Sequence, residues 1–381
     1  MQNFIFKNPT EILFGKGMIA EIASRVPTTV PVLLLYGGGS IRRNGVYDQV
    51  KAALASHSPL VEFGGIEPNP LHETCMKAVA LGREKRVGFV LAVGGGSVLD
   101  AAKYICAAAC YEGRDPWEIL TSAGAGVKRA LPLGTVLTLP ATGSESNGNS
   151  VISRQATQEK LFFGSPLSFP VFSVLDPETT YSLPQKQVRN GIVDAFAHVM
   201  EQYMTYPAAA PLQDRLAEGV IHTLLEIGPL TLAAPRDYDA RASFMWSATL
   251  ALNTLIGCGV PQDWATHMIG HELTAFYGLD HAESLAVVMP GIWTHQIQRK
   301  GAKLTQLGQR LWGATTPEAT IARTEAFFRV LGMPTRLSEY GIQAAEAAAK
   351  VQKRFSERGQ LLGEYGDLTP AHAAEILRLR A

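Results

Sequence analysis

The sequence predicts a chain in two parts, an α/β part built on a parallel sheet and then an all-helical part. Three unbroken apolar runs carry the first half of that reading: VPVLLLY at 30–36, VGFVLAV at 87–93 and GTVLTLP at 134–140. Strands apolar on both faces belong to parallel sheets covered by helices on both sides, and helical periodicity follows the first two runs. A change of pattern carries the second half. Past VLDPETTYSLP (174–184) the periodicity is mostly helical as far as Ala381, with Ala/Leu-rich stretches such as QDRLAEGVIHTLLEIGPLTLAA. At 381 residues the chain exceeds what one hydrophobic core usually organises, so two domains are expected, 1–180 and 181–381. AAPRDYD and RKGAKLTQ read as turns or ends between helices.

Composition narrows the function classes. A hydrophobic content of 46% and a mean hydropathy of +0.06 describe a well-buried globular chain. Basic and acidic residues balance at 34 each, with no long basic run, so the footprint of a nucleic-acid binder is missing. The start, MQNFIFKNPTEILFG, lacks a signal-peptide pattern, and no apolar run reaches about 18 residues, so a cytoplasmic protein without a membrane partner is expected. Cys75, Cys106, Cys110 and Cys258 form no CxxC pair, so any metal is held by nitrogen and oxygen.

Two of the strands end alike, in LLLYGGGSIRRNG and LAVGGGSVLDAAK. Glycines at the carboxyl end of a parallel strand let backbone N–H groups approach a phosphate, and the following helix adds its positive end. Gly37, Gly38, Gly39 and Ser40 form the first turn, and Gly95, Gly96 and Ser97 the second, with Asp100 expected in the first turn of the next helix. Neither turn is a GxGxxG or a Walker motif, and glycines also serve tight turns that bind nothing. NAD sites commonly place an acid near the ribose, whereas the first turn offers Ser40, Arg42 and Arg43; NADP is therefore the expected dinucleotide. A third loop, LTLPATGSESNGNS, gathers Thr138, Thr142, Ser144, Ser146 and Asn147, hydroxyl and amide partners for a ribose, an amide or a phosphate.

The stretch NGIVDAFAHVMEQY reads as a helix with Ile192, Phe196, Val199 and Tyr203 on one face and Asp194, His198, Glu201 and Thr205 on the other. Taken alone, that is an ordinary amphipathic helix. Its charge context is not ordinary. Residues 190–214 and 242–298 contain no lysine or arginine, yet the second stretch holds Asp263, Glu272, Asp280 and Glu283 with His267, His271, His281 and His295. Buried carboxylates need a cation, and a bound metal is the expected source. His267 and His271 stand one helical turn apart, and His281 follows after Gly278, expected to end that helix. With Asp194 and His198 this makes one carboxylate and up to four imidazoles, a set suited to iron or zinc; spacing does not say which imidazoles ligate.

Together, TEILFGKG, EPNP, VGGGSVLDAAK, LPATGSES, DAFAHVMEQ and HMIGHELTAFYGLDHA resemble the iron-containing (group III) alcohol dehydrogenases, in particular the butanol dehydrogenase and NADPH-dependent aldehyde reductase branch. The similarity runs from about residue 4 to at least residue 335. It implies a Rossmann-like N-terminal domain, an all-α C-terminal domain (the dehydroquinate synthase-like fold) and a divalent metal in the cleft between them. The implied ligands are Asp194, His198, His267 and His281, and His271 matches the family's non-ligating histidine near the nicotinamide. The resemblance also implies cofactor contacts from Gly37, Gly38, Gly39 and Ser40 at the adenosine end. Gly95, Gly96, Ser97 and Asp100 are implied along the pyrophosphate and nicotinamide, with Thr138, Thr142, Asn147 and Lys160 beyond them. Two positions depart from the family: His281-Ala282 replaces a common His-Gly, and Gly39 stands where NAD-preferring members often carry aspartate.

The implied activity is NADP(H)-dependent interconversion of aldehydes and primary alcohols, favouring reduction of neutral short- to medium-chain aldehydes, by a homodimer. The metal, Fe2+ or Zn2+, would act as a Lewis acid. Dehydroquinate synthase-like lyases and polyol or phosphate-ester dehydrogenases share the fold, but their charged substrates need Arg/Lys clamps that the two base-free stretches lack. A noncatalytic nucleotide-binding protein leaves the carboxylate and histidine set unexplained.

Overall fold

A computed structural model describes residues 1–57 and 59–381. The strands are β1 (Glu11–Phe14), β2 (Val32–Tyr36), β3 (Leu60–Phe63), β4 (Phe89–Gly95), β5 (Leu133–Leu139), β6 (Asn149–Arg154), β7 (Glu159–Gly164) and β8 (Phe172–Leu175). Helices α1 (Ser40–Arg43), α2 (Val46–Ala53), α3 (His72–Glu84), α4 (Gly96–Ala109) and α5 (Glu118–Thr121) alternate with them. Then follow α6 (Gln185–Tyr203), α7 (Pro211–Ala233), α8 (Tyr238–Ala251), α9 (Ala265–Tyr277) and α10 (His281–His295). The chain closes with α11 (Ile297–Trp312), α12 (Pro317–Val330), α13 (Ala344–Glu357) and α14 (Pro370–Arg378).

Two compact units result. The α/β unit comprises residues 7–184 and 235–253, the helical unit residues 1–6, 185–234 and 254–381. Helix α8 thus groups with the sheet, although its sequence lies in the helical half. The reason is a buried contact: Thr249 donates to Glu145 Oε1 at 2.5 Å, inside the loop after β5. Residues 299–306, expected at a turn or a helix end, lie in the first part of α11, which begins at Ile297.

Within the α/β unit, six strands form one parallel sheet in the order β1-β8-β5-β4-β2-β3, and β6 and β7 pair as an antiparallel hairpin. Alternation along the central strands builds two cores. Leu33, Leu35, Val90 and Ala92 pack with Ala78, Leu99 and Ala102 of α3 and α4, whereas Val32, Leu34, Leu91 and Val93 pack with Ile22, Val46 and Val50 on the opposite face. A sheet buried on both faces explains why β2, β4 and β5 read as unbroken apolar runs. From β2 the chain moves outward to β3, and from β4 it moves the other way to β5. The winding therefore reverses between neighbouring β2 and β4, and ligands of such sheets bind beyond the carboxyl ends of strands at that reversal. Both glycine turns lie there.

The helical unit contains one helix, α7, long and apolar enough by composition to cross a membrane. Its buried positions Ala217, Ile221, Leu224 and Gly228 instead form one stripe. Glu218 on the same side is bound by Tyr203 and Arg310 at 2.7 and 2.5 Å. A helix that buries a paired glutamate is packed as part of a globular core.

Candidate metal and cofactor sites

Helix α6 organises the metal site through a single stripe. Lys186, Asn190, Asp194, His198 and Glu201 recur at spacings of three and four, and the last three are at most 4% exposed. At the first turns of the stripe, Lys186 Nζ and Asn190 Nδ2 donate to Asp280 Oδ2 at 2.8 and 3.0 Å. Asp280 also caps α10 in a capping box with Glu283, so His281 begins that helix beside Asp194. Gly278, at φ 71°, ends α9 in the left-handed conformation that allows this short reversal, as expected of a glycine at a helix end.

Asp194, His198, His267 and His281 each offer one ligand atom within 4.8 Å of the others. His198 Nε2 and His281 Nε2 lie 3.6 and 3.5 Å from Asp194 Oδ1. An ion about 2.1 Å from each donor separates tetrahedral ligands by roughly 3.4 Å, so these spacings fit a cation better than direct hydrogen bonds. Asp194 Oδ1 is buried without a hydrogen-bond donor among the described residues, and such an atom calls for a cation. His267 reaches the cluster from α9, its ring 4.8 Å from that of His198 and 5.0 Å from that of His281. The donor set fits a divalent metal.

His271 lies outside the four. Its ring centroid is 5.5 Å from His281 and 6.2 Å from His267, and it is 5% exposed. Spacing alone left its role open; the one-turn offset puts it on the site's wall.

One expectation needs correcting. The acids of the base-free stretch draw their cations from elsewhere in the chain: Asp263 from Lys300 at 2.9 Å, and Glu272 from Arg354 and Arg358 at 3.1 and 2.6 Å. Lys186 serves Asp280 and Glu283, and His295 pairs with Glu375. The metal therefore has to answer only for α6 and its partners. Among these is Glu201, which stands on the Asp194–His198 stripe and contacts His267. Burial, and then the charge of Asp263, push its carboxyl well above the ordinary carboxylate range.

In the α/β unit, Gly37–Ser40 and Gly95–Ser97 sit at the carboxyl ends of adjacent β2 and β4. The second turn is also a packing device, since a Cβ on Gly95 would meet Leu139 Cβ at 2.8 Å and one on Gly96 would meet Thr142 Cγ2 at 2.5 Å. Gly39 differs: φ is 87° and nothing lies within 4 Å of its Cβ position. Asp100 stands in the second turn of α4, because the helix starts at Gly96 rather than later. Its oxygens accept from Ser144 Oγ at 2.6 Å and Val151 N at 3.0 Å.

Asn147 holds the same loop. Its Nδ2 donates to Gly143 and Leu252 carbonyls at 2.8 and 3.1 Å, and its Oδ1 accepts from Lys103 at 3.0 Å. Lys103, fully buried, is brought down to about 8 by desolvation. Thr142 Oγ1 accepts from Ser144 N at 3.2 Å, Thr138 is buried on β5, and Lys160 donates from β7 to Asn69 Oδ1 at 2.8 Å. Thus Asp100, Lys103 and Asn147 shape the loop, while the glycine turns remain the candidate phosphate surface.

Arg42, expected to face a 2′-phosphate, is held by the structure over the Tyr47 ring at 4.2 Å and against Glu62 at 2.8 Å. Glu62 comes from β3, distant in sequence, and also takes Tyr47 and Lys51 at 2.7 and 3.2 Å. An acid therefore neighbours the turn after all, but with two cations upon it.

Residues 9–177 match the family described as iron-containing alcohol dehydrogenase, and residues 189–379 match its Fe-containing alcohol dehydrogenase C-terminal region. The chain is 54% identical over 377 residues to the NADPH-dependent aldehyde reductase YqhD of Escherichia coli (strain K12), covering 97% of each. It is 42% identical over 384 residues to NADP-dependent alcohol dehydrogenase 3 of Entamoeba histolytica, covering 99% of this chain and 98% of that one. Among solved structures, E. coli K-12 YqhD superposes with a TM-score of 0.98 at 52% identity, covering 100% of this chain and 99% of that one. NADH-dependent butanol dehydrogenase A from Thermotoga maritima superposes at 0.95 with 36% identity and the same coverage. Matched in both halves and at this identity along its whole length, the chain belongs to the iron-containing alcohol dehydrogenase family.

Proposed function

We propose that the chain is an NADP(H)-dependent aldehyde reductase and alcohol dehydrogenase for neutral short- to medium-chain aldehydes, acting in the cytoplasm as a homodimer. Asp194, His198, His267 and His281 would hold one Fe2+ or Zn2+. The carrying observation is the buried Asp194 Oδ1, without a hydrogen-bond donor among the described residues, within 4.8 Å of a ligand atom of each of three imidazoles. When bound, the divalent ion supplies Lewis acidity toward a carbonyl oxygen and NADPH supplies the hydride.

The chain's own residues do the rest. The α6 stripe fixes Asp194 and His198 on one rigid helix, and the capped start of α10 fixes His281 against them. His271, beside His281, offers an imidazole nitrogen that can pass a proton to the product oxygen. The Gly37–Ser40 and Gly95–Ser97 turns offer backbone N–H groups to the dinucleotide phosphates, and Asp100 and Asn147 pin the loop after β5. Asp100, Thr138, Thr142, Asn147 and Lys160 remain assigned to cofactor contacts through the family resemblance.

Substrate charge separates this reading from a dehydroquinate synthase-like lyase or a phosphate-ester dehydrogenase. Cations on or against the metal-bearing helices, among them Lys186, Arg189, Lys300, Arg354 and Arg358, are tied to carboxylates. A substrate carboxylate or phosphate would have to compete for them. A steady-state panel with NADPH is therefore expected to show neutral aldehydes exceeding carboxylated or phosphorylated ones in kcat/KM by at least about tenfold, ~1.4 kcal/mol. A preference for a phosphorylated substrate would contradict it.

A further inference from the structure

We infer that Glu201 is a positioning residue of the metal centre, orienting His267 and supplying the second negative charge that a divalent ion requires there. This rests on the four-residue site proposed above. Glu201 follows His198 by three residues on α6, so the helix that presents two ligands also presents a carboxylate to a third, carried by α9. The grip has two points: Glu201 Oε2 meets His267 Nδ1, and Oε1 accepts from the His267 backbone N–H at 3.1 Å. A carboxylate accepting from Nδ1–H selects one tautomer, leaves Nε2 as the electron-pair donor and makes it a better one.

The surroundings confine Glu201 to this role. It is 4% exposed, and the cavity behind it, lined also by Asp263, Thr266 and Lys300, measures about 10 Å³, scarcely one water. Solvent cannot neutralise its charge. Lys300 is committed to Asp263 at 2.9 Å, to Glu364 at 2.9 Å and to the Met204 carbonyl at 2.7 Å. A divalent cation at the site would favour the ionised form of Glu201 that burial and Asp263 oppose, and the carboxylates of Asp194 and Glu201 would then offset its two positive charges while the three histidines stay neutral. The Asp263 backbone N–H donates to the Glu201 carbonyl at 2.8 Å, so the Lys300 cluster also braces the end of α6.

The test measures Zn2+ affinity of purified full-length protein by competition with a chelator, and the melting temperature of metal-free and Zn2+-loaded forms. Glu201→Gln, nearly isosteric, is expected to weaken Zn2+ binding by about 10- to 100-fold. The metal-free melting temperature should stay equal or rise while the Zn2+-induced increment shrinks. Glu201→Asp keeps the charge and is expected to stay within about tenfold of the wild type. Wild-type affinity in Glu201→Gln, or an equal fall in melting temperature with and without Zn2+, would overturn the inference in favour of packing; so would a loss in Glu201→Asp as large as in Glu201→Gln. His198→Ala serves as the control. If that variant binds Zn2+ like the wild type, the ligand set itself is wrong, an outcome separate from failure at Glu201.

Discussion

His198→Ala is expected to lose its bound metal and to lower kcat/KM for aldehyde reduction by about a thousandfold or more, roughly 4 kcal/mol. The same holds for alanine at Asp194, His267 or His281. Each removes one of four donors whose ligand atoms lie within 4.8 Å of one another, and the set has no spare carboxylate to replace it. In the Asp194, His198 and His281 variants Glu201 stays engaged through both its oxygens by His267. His271→Ala gives the contrast. Because its ring lies on the wall and outside the four donors, the variant should keep a full complement of metal and bind NADPH normally, with aldehyde reduction slowed by about 10- to 100-fold. Metal content measured alongside initial rates on the five variants separates ligands from a proton-handling residue. Metal loss in His271→Ala would mean that a ligand has been misassigned, and an unchanged rate would leave His271 as packing.

The second large effect concerns the dinucleotide. NADPH is expected to exceed NADH in kcat/KM by at least about tenfold, ~1.4 kcal/mol of differential binding. The turn after β2 carries Ser40 and Arg43 with no acid of its own, and the neighbouring Glu62 is covered by Arg42 and Lys51. Gly39→Asp should bring the two efficiencies together. Its φ of 87° is left-handed, which aspartate tolerates better than most residues, and its Cβ would enter open space. The new carboxylate would repel a 2′-phosphate and could accept from a ribose hydroxyl. Steady-state kinetics with both cofactors decide it; equal efficiencies in the wild type, or an undiminished gap in Gly39→Asp, would contradict the assignment.

What could be read from sequence was what burial makes periodic. β2, β4 and β5 stand inside the sheet and are almost wholly apolar, Thr135 and Thr138 of β5 apart, so the runs are unmistakable. β1 and β3 are four-residue edge strands with exposed or half-buried positions, and the β6–β7 hairpin is mixed in polarity; none of them yields such a run. Helix α8 reads correctly as a helix, but periodicity does not say which core a helix joins, and its Thr249–Glu145 contact spans 104 residues.

The site divides in the same way. The Asp194–His198 pair is local and legible. Which of His267, His271 and His281 ligate is not, because it depends on the Gly278 reversal and the Asp280 cap, and the family resemblance supplied the choice. The base-free stretches pointed to a metal through a partly mistaken premise. Lys300, Arg354 and Arg358 satisfy Asp263 and Glu272 across distances that a linear count of charges cannot see. Asp100 and Asn147 are legible as polar residues, but their hydrogen bonds to the loop after β5, to Lys103 and to Leu252 join residues far apart in the chain and are not.

The central claim is that aldehyde reduction by this chain needs both NADPH and a divalent ion held by the α6, α9 and α10 donors. Its most direct test is the aldehyde-dependent oxidation of NADPH by protein stripped with a chelator and then titrated anaerobically with Fe2+ or Zn2+. Stripped protein should be inactive toward butyraldehyde, with activity returning to saturation at one ion per chain in the wild type and not returning in His198→Ala. Full activity of the stripped protein, with no bound metal detectable, would contradict the account.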